Sequence, residues 1–239
     1  MKNNLDLGQH FMVDNDLLDL IIEKSEIKTN EVVLEVGSGE GVLSKKILEQ
    51  DPVELICVEL DSRFKLSDDR ITFIQGNILE EIQILFFDNL VANIPYHISE
   101  PLMIKLIQKR IKKITFVCGK KFSDILLGDS ILGLIARSYY YISLEKEILP
   151  NSFNPPPKTN SALMTLRAKD SSEIFLTFYE HQKQKVKNYL LTISEGIKTK
   201  RELRVLFDSL KEILDMPLYM LNFEEYKTLY TFINKNLIR

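Results

Sequence analysis

The chain has 239 residues, 45% of them hydrophobic, enough to enclose one large core with a small appendage or two modest cores. It holds no apolar run long and uncharged enough to span a bilayer, and Met1-Lys2-Asn3-Asn4-Leu5-Asp6 lacks the apolar stretch of a secretory signal, so an intracellular, cytoplasmic protein is expected. A formal net charge of -3 excludes a uniformly basic nucleic-acid binder and turns attention to how the charge is arranged.

In chain order, Asp14 is placed to cap a helix whose apolar positions Leu17, Leu18, Ile21 and Ile22 recur at helical spacing. After a turn at Lys28-Thr29-Asn30, the β-branched run Val32-Val33-Leu34-Glu35-Val36 leads into Gly37-Ser38-Gly39-Glu40-Gly41 and an amphipathic helix through Leu43, Ile47 and Leu48. Strand, glycine turn and helix form a nucleotide-binding arrangement: the glycines permit a tight turn and close backbone approach, and the helix start offers unpaired N–H groups. The next strand, Leu55-Ile56-Cys57-Val58, ends on Glu59, 22 residues after Gly37, where an acidic residue accepts from both ribose hydroxyls in this kind of fold. Strand Ile71-Thr72-Phe73-Ile74 leads to Gln75-Gly76-Asn77-Ile78, and strand Leu90-Val91-Ala92 delivers Asn93. In a parallel sheet Gly37, Glu59, Asn77 and Asn93 then converge on one crevice at the carboxyl edge.

A helix from Ser99 to about Arg110 follows, then a strand Ile114–Cys118, a helix holding Phe122 and Ile125, a helix from Leu132 to Tyr140 and a strand from Ile142 to Leu149. Tyr139-Tyr140-Tyr141 is expected to pack against the sheet. The rigid loop Phe153-Asn154-Pro155-Pro156-Pro157-Lys158 precedes a last strand, Ser161 to Leu166. Beyond Lys169 glycine thins to Gly196 alone and the pattern turns helical, near Glu173–Ile193, Lys200–Leu214 and Phe223–Ile233, so a domain boundary is set at Asp170. Cys57 and Cys118 lie in apolar strands, where a thiol is a small buried hydrophobe, and neither a disulfide framework nor a zinc site is expected. His10, His97 and His181 are too scattered for a metal-binding helix, and no metal is assigned.

Asn93-Ile94-Pro95-Tyr96 suits one chemical problem, the activation of a weakly nucleophilic amine such as that of adenine, whose lone pair is drawn into the ring. The Asn93 side-chain carbonyl and the Ile94 backbone carbonyl can accept both amine hydrogens. Pro95 fixes its own φ and biases Ile94 to an extended conformation, and Tyr96 offers a flat face to an extruded base. Two basic segments could track phosphates: Lys105 to Lys121 holds seven Lys/Arg and no Asp or Glu, and His181 to Arg204 holds seven against Glu195 and Glu202. The remainder of the chain is strongly acidic.

Taken together, Leu7-Gly8-Gln9-His10-Phe11-Met12 with Asp14, Leu34 to Gly41, Glu59-Leu60-Asp61, Asn93 to Tyr96 with Ile98-Ser99, and Phe153 to Lys158 with Ser161-Ala162 resemble the ribosomal RNA adenine N6,N6-dimethyltransferases of the KsgA type, with the Erm resistance methyltransferases as close relatives. The resemblance runs from Leu7 to about Leu166 and more weakly through the helical tail. It implies an α/β fold, with a Rossmann-like class I methyltransferase domain over residues 1–169 and a small all-helical RNA-holding domain over 170–239. The implied cofactor is S-adenosylmethionine, contacted at Gln9, His10, Met12, Glu35, Gly37, Gly39, Glu59, Asn77, Ile78 and Asn93. Catalysis is implied at Asn93, Ile94, Pro95 and Tyr96, with Tyr96 and Phe153 stacking on the base. The implied partner is the ribosomal RNA of a small-subunit precursor, served by a monomer during ribosome biogenesis.

The chain departs from that family at His10, usually Asn, at Asn77, usually Asp, and at Cys118-Gly119-Lys120-Lys121-Phe122, which lacks a Glu before the aromatic. The stretch between Ile125 and Gly133 is also short. An Erm-type activity on large-subunit RNA and a catalytically idle RNA-binding factor on the same fold stay open as alternatives; the triple proline and Pro101-Leu102-Met103 favour the small-subunit side.

Overall fold

The computed structural model describes residues 9–169 and 181–237; Leu7, Gly8 and residues 173–180 of the helix expected over Glu173–Ile193 lie outside the described residues, and the described part of that stretch is helical from Val186. The chain divides into two compact units, Met1–Leu127 with Tyr139–Asp170, and Gly128–Ser138 with Ser171–Arg239, so the second unit takes in 128–138 as well as the residues beyond 170.

In the first unit the strands and helices run β1 (Phe11–Met12), α1 (Asn15–Ser25), β2 (Val32–Val36), α2 (Val42–Leu48), β3 (Glu54–Glu59), β4 (Ile71–Gln75), α3 (Ile78–Glu81), β5 (Asn89–Asn93), α4 (Ser99–Lys109), β6 (Lys113–Gly119) and α5 (Lys120–Leu127). After α6 (Ile131–Tyr139) come β7 (Tyr140–Ile148), β8 (Phe153–Asn154) and β9 (Ser161–Ala168). Seven strands form one sheet in the order β4-β3-β2-β5-β6-β9-β7, and β1 pairs separately with β8. Neighbours from β4 to β6 are parallel, while β9 runs antiparallel to both β6 and β7. β2, β3, β5 and β6 are buried along nearly their whole length, which is why they read as continuous apolar runs and not as alternating ones.

α1 begins where Asp14 accepts from the Leu17 N–H (3.1 Å) and stops at Glu26, whose φ of 49° is left-handed. Its buried face, Leu17, Leu18 and Ile21, joins Val33, Ile47, Leu55 and Val91 in the core. The tyrosine triplet divides by strand alternation: Tyr140 is buried with its hydroxyl on Leu106 O (3.3 Å). Tyr141 points the other way, 67% exposed under the Lys169 ammonium, and so does not pack on the sheet as expected.

The second unit is helical, with α6, α7 (Val186–Ile193), α8 (Lys200–Phe207) and α9 (Phe223–Asn236). Reciprocal capping boxes start α8 (Thr199, Glu202) and α9 (Asn222, Glu225). The helix expected to Leu214 ends at Phe207 and tightens into a 3-10 turn, Asp208–Leu210, where the Ser209 hydroxyl donates to Leu206 O (2.8 Å). No helix among the described residues is long and apolar enough to cross a membrane.

Candidate active site

β2 has β3 on one side and β5 on the other, so the sheet order reverses there and a crevice opens at the carboxyl ends of these strands. A cavity of about 430 Å³ occupies it, and every candidate residue except Phe153 lines its wall.

The β2 end supplies the glycine turn. Gly37 has a φ of 73° and donates to Val58 O (2.8 Å), tying the turn to β3. At Gly41 a φ of 76° is what demands glycine; an added Cβ would also stand 2.6 Å from the tip of the Leu66 side chain, which would have to shift. Glu59 closes β3. Its Oε2 accepts from the Gly39 N–H and its Oε1 from the Asp61 N–H, both at 2.8 Å, so one buried carboxylate stitches the glycine turn to the loop after β3. Arg63 grips Asp61 and Gln9 Nε2 adds a bond of 2.6 Å, which together hold the Asp61 carboxyl well below the usual carboxylate range. Gln9 thus braces the crevice through Asp61.

Glu35 reaches the crevice wall from within the sheet. It is 1% exposed; it accepts from Ser44 Oγ of α2 and from Cys57 Sγ of β3 (3.5 Å), and burial pushes its carboxyl up to about 7. Burial likewise pushes the Cys57 thiol far up and the Cys118 thiol to about 12, which makes both inert. At the β4 end, Asn77 Oδ1 caps α3 on the Leu79 N–H and Nδ2 donates to Glu80, each at 3.1 Å. The side-chain carbonyl of this expected cofactor contact therefore already holds one partner and has one lone pair left.

At the β5 end, Asn93 Nδ2 donates to His10 O (2.9 Å), which fixes the amide and leaves its carbonyl to accept. Ile94 donates to Val117 O (3.0 Å), and Pro95 holds φ -55° and ψ 128° before the single turn Tyr96–Ile98. The Tyr96 hydroxyl meets Ser161 Oγ at 2.5 Å. His10 Nδ1 donates to Pro155 O (2.8 Å), and its ring lies 5.8 Å from that of Tyr96, tilted by 32°. His10 thereby joins three loops that are remote in sequence.

Phe153 is the exception. Pairing of β1 with β8 sets it opposite Met12, and it is 3% exposed in the core with Leu17, Ile148 and Leu163, so its ring is not presented to a base. The basic segment Lys105 to Lys121 is also not one stripe. Lys112 and Lys113 lie at the amino end of β6, where Lys113 is held by Glu31 (2.6 Å), and Lys120 and Lys121 follow its carboxyl end, nearer the crevice. Among the lining residues that went unassigned in the sequence, two stand out. Leu60, 54% exposed between Glu59 and Asp61, offers an apolar shelf, and Ser38 Oγ is buried without a partner. Their only signal was position, immediately after a strand end and between two glycines.

A family model described as ribosomal RNA adenine dimethylase matches residues 1–214. A probable ribosomal RNA small subunit methyltransferase A of Methanopyrus kandleri is 26% identical over 246 residues, covering 90% of this chain and 86% of that protein. A ribosomal RNA small subunit methyltransferase of Arabidopsis thaliana is 36% identical over 180 residues, 66% of this chain but only 50% of the plant protein. The crystal structure of a dimethyladenosine transferase from Plasmodium falciparum superposes with a TM-score of 0.71 at 23% identity, over 95% of this chain and 98% of that one, which shows the fold.

Family and fold imply S-adenosylmethionine, and the crevice fits it. Glu40 and Glu59 line the cavity with no Lys or Arg, which suits a cationic sulfonium, and the orphaned Ser38 hydroxyl and the Leu60 shelf suit polar and flat partners. The chain belongs to the ribosomal RNA adenine dimethylase family, methyltransferases whose cofactor is S-adenosylmethionine.

Proposed function

We propose that this protein transfers two methyl groups from S-adenosylmethionine to the exocyclic amine of adenosines in small-subunit ribosomal RNA, working as a cytoplasmic monomer on a precursor of the subunit. The observation that carries the reading is the Asn93 amide, whose nitrogen is committed to His10 O so that its carbonyl is left to accept at the crevice wall. The small-subunit names of the relatives in Methanopyrus and Arabidopsis support that choice over large-subunit RNA.

When bound, S-adenosylmethionine supplies a methyl group on a sulfonium, open to direct displacement by a nitrogen nucleophile. Asn93 Oδ1 accepts one amine hydrogen and the Ile94 carbonyl the other, which draws the nitrogen towards a tetrahedral, nucleophilic shape. The Ile94 peptide is held in place from both sides, by its N–H on Val117 O and by the fixed φ of Pro95. Tyr96 supports the extruded base from one face. Glu59 would hold the ribose hydroxyls with the lone pairs that Gly39 and Asp61 leave, and Leu60 and Ile78, on the same wall, would offer apolar contact to the cofactor's base. No strong general base is required, because the amine hydrogen becomes acidic as the new bond forms and can pass to solvent, with the displaced sulfonium left as a neutral thioether.

The test is nucleoside analysis of ribosomal RNA from cells with and without the gene. Dimethyladenosine that disappears from the small subunit alone supports the reading, whereas an unchanged small subunit, or a loss confined to the large one, overturns it.

A further inference from the structure

Tyr96 rests on two residues that face each other across a strand pair. Gly119 ends β6 and is the register partner of Ser161, which begins β9. Both are buried. A Cβ built on Gly119 would stand 3.1 and 3.3 Å from two carbons of the Tyr96 ring, closer than side chains ordinarily pack, and 3.5 Å from a third, and the Tyr96 hydroxyl meets Ser161 Oγ at 2.5 Å. One rung of the sheet therefore supplies both a flat bed for the ring and an anchor for its far end. Gly119 has no positive φ, so the backbone there does not call for glycine, and the steric need of the Tyr96 ring is the demand for it that the structure shows. Gly119 also falls in the segment that departs from the family pattern.

We infer that Gly119 and Ser161 are positioning residues for methyl transfer, a paired seat that fixes the Tyr96 ring at the height where an extruded adenine must lie against it. The inference rests on the proposed stacking role of Tyr96. A half-buried tyrosine on a turn can sample several rotamers, and each one moves the base relative to Asn93 and the methyl donor. The seat selects one rotamer. Alanine at 119 lifts the ring by a few tenths of an ångström, and alanine at 161 frees its hydroxyl end; neither change reaches the Glu59 side of the crevice.

The test is a set of variants assayed for methyl transfer to undermethylated small ribosomal subunits, with S-adenosylmethionine affinity measured in parallel by calorimetry. Gly119→Ala is expected to lower kcat about tenfold, as small misplacements of a reacting pair do. Ser161→Ala and Tyr96→Phe should each lower kcat by a smaller factor, and Ser161→Thr, which keeps the hydroxyl, should restore it. Cofactor affinity should hold in all of them. Because Ser161 acts through the tyrosine hydroxyl, Ser161→Ala combined with Tyr96→Phe should be no slower than the slower single variant. Multiplying losses in the double variant, or full kcat in both Gly119→Ala and Ser161→Ala, would overturn the seat. Tyr96→Ala separates this from the underlying reading: if it transfers at the full rate, stacking on Tyr96 itself is wrong. If it is inactive while Gly119→Ala and Ser161→Ala are at full rate, only the seat fails.

Discussion

The two halves of the crevice are built differently. On the β2–β3 side the main chain does the work: three glycines shape the turn, and the Glu59 carboxylate is fixed by the N–H groups of Gly39 and Asp61. On the β5–β6 side, side chains reach across to other loops: Asn93 to the His10 carbonyl, His10 to the Pro155 carbonyl, and Tyr96 to the Ser161 hydroxyl and against the bare backbone of Gly119. A half locked by backbone geometry gives affinity for a ligand of constant shape. A half locked by side chains can aim an amine at a methyl group, and it depends on every link. Substitutions on the first side should therefore move cofactor affinity, and those on the second should move turnover.

The largest effect is expected at Asn93. Asn93→Ala removes the polarising acceptor and, by analogy with loss of an oxyanion-hole donor, should lower kcat by about 10²-fold or more, with a much smaller loss of cofactor affinity. A matching fall in cofactor affinity would erase the division between the halves.

Glu35 sharpens the comparison from inside the first half. Its folded-state pKa is raised, so below about pH 4.5 both folded and unfolded chains hold the proton and there is no penalty. As pH rises to about 7 the unfolded chain releases the proton first and stability falls. The total loss is about 3 kcal/mol, complete above that window. Urea unfolding at pH 5 and pH 8 should show Glu35→Gln losing less stability than the unmodified protein over this interval. Parallel pH profiles would mean that Glu35 titrates normally.

Glu59→Ala should weaken S-adenosylmethionine by about tenfold or more, since hydrogen bonds to a charged group contribute roughly 1.5–3 kcal/mol. Calorimetry on the folded variant that shows unchanged affinity would remove the ribose assignment.

The smallest effect is expected at Asn77. Asn77→Ala should cost about 1 kcal/mol of stability through the lost cap on α3. Asn77→Asp keeps the cap and gives a stronger acceptor, but sets a carboxylate against Glu80, so cofactor affinity should stay within a few-fold. Abolished binding in Asn77→Asp with tolerance of Asn77→Ala would place the residue away from the cofactor's base.

Much of this was legible in the chain because the signals are local. The glycine turn, Glu59 at its spacing, Asn77 after β4 and Asn93 after β5 all sit at strand ends, and a parallel sheet gathers strand ends at one edge. What escaped was set by pairings between distant segments. The burial of Phe153 follows from β8 meeting β1, and the seat under Tyr96 follows from Gly119 meeting Ser161. Tyr141 turned outward because the strand began at Tyr140, two residues earlier than periodicity suggested. The split of the basic segment has the same origin: a strand passes through it and carries its two ends to opposite edges of the sheet.

The central claim is tested most directly by incubating the purified protein with tritiated S-adenosylmethionine and undermethylated small ribosomal subunits, then digesting the RNA to nucleosides. The account predicts label in N6,N6-dimethyladenosine, with two methyl groups on each modified base and none transferred to large subunits. Tight binding to the small subunit with no label under any condition would contradict it and leave an RNA-binding factor on a methyltransferase fold.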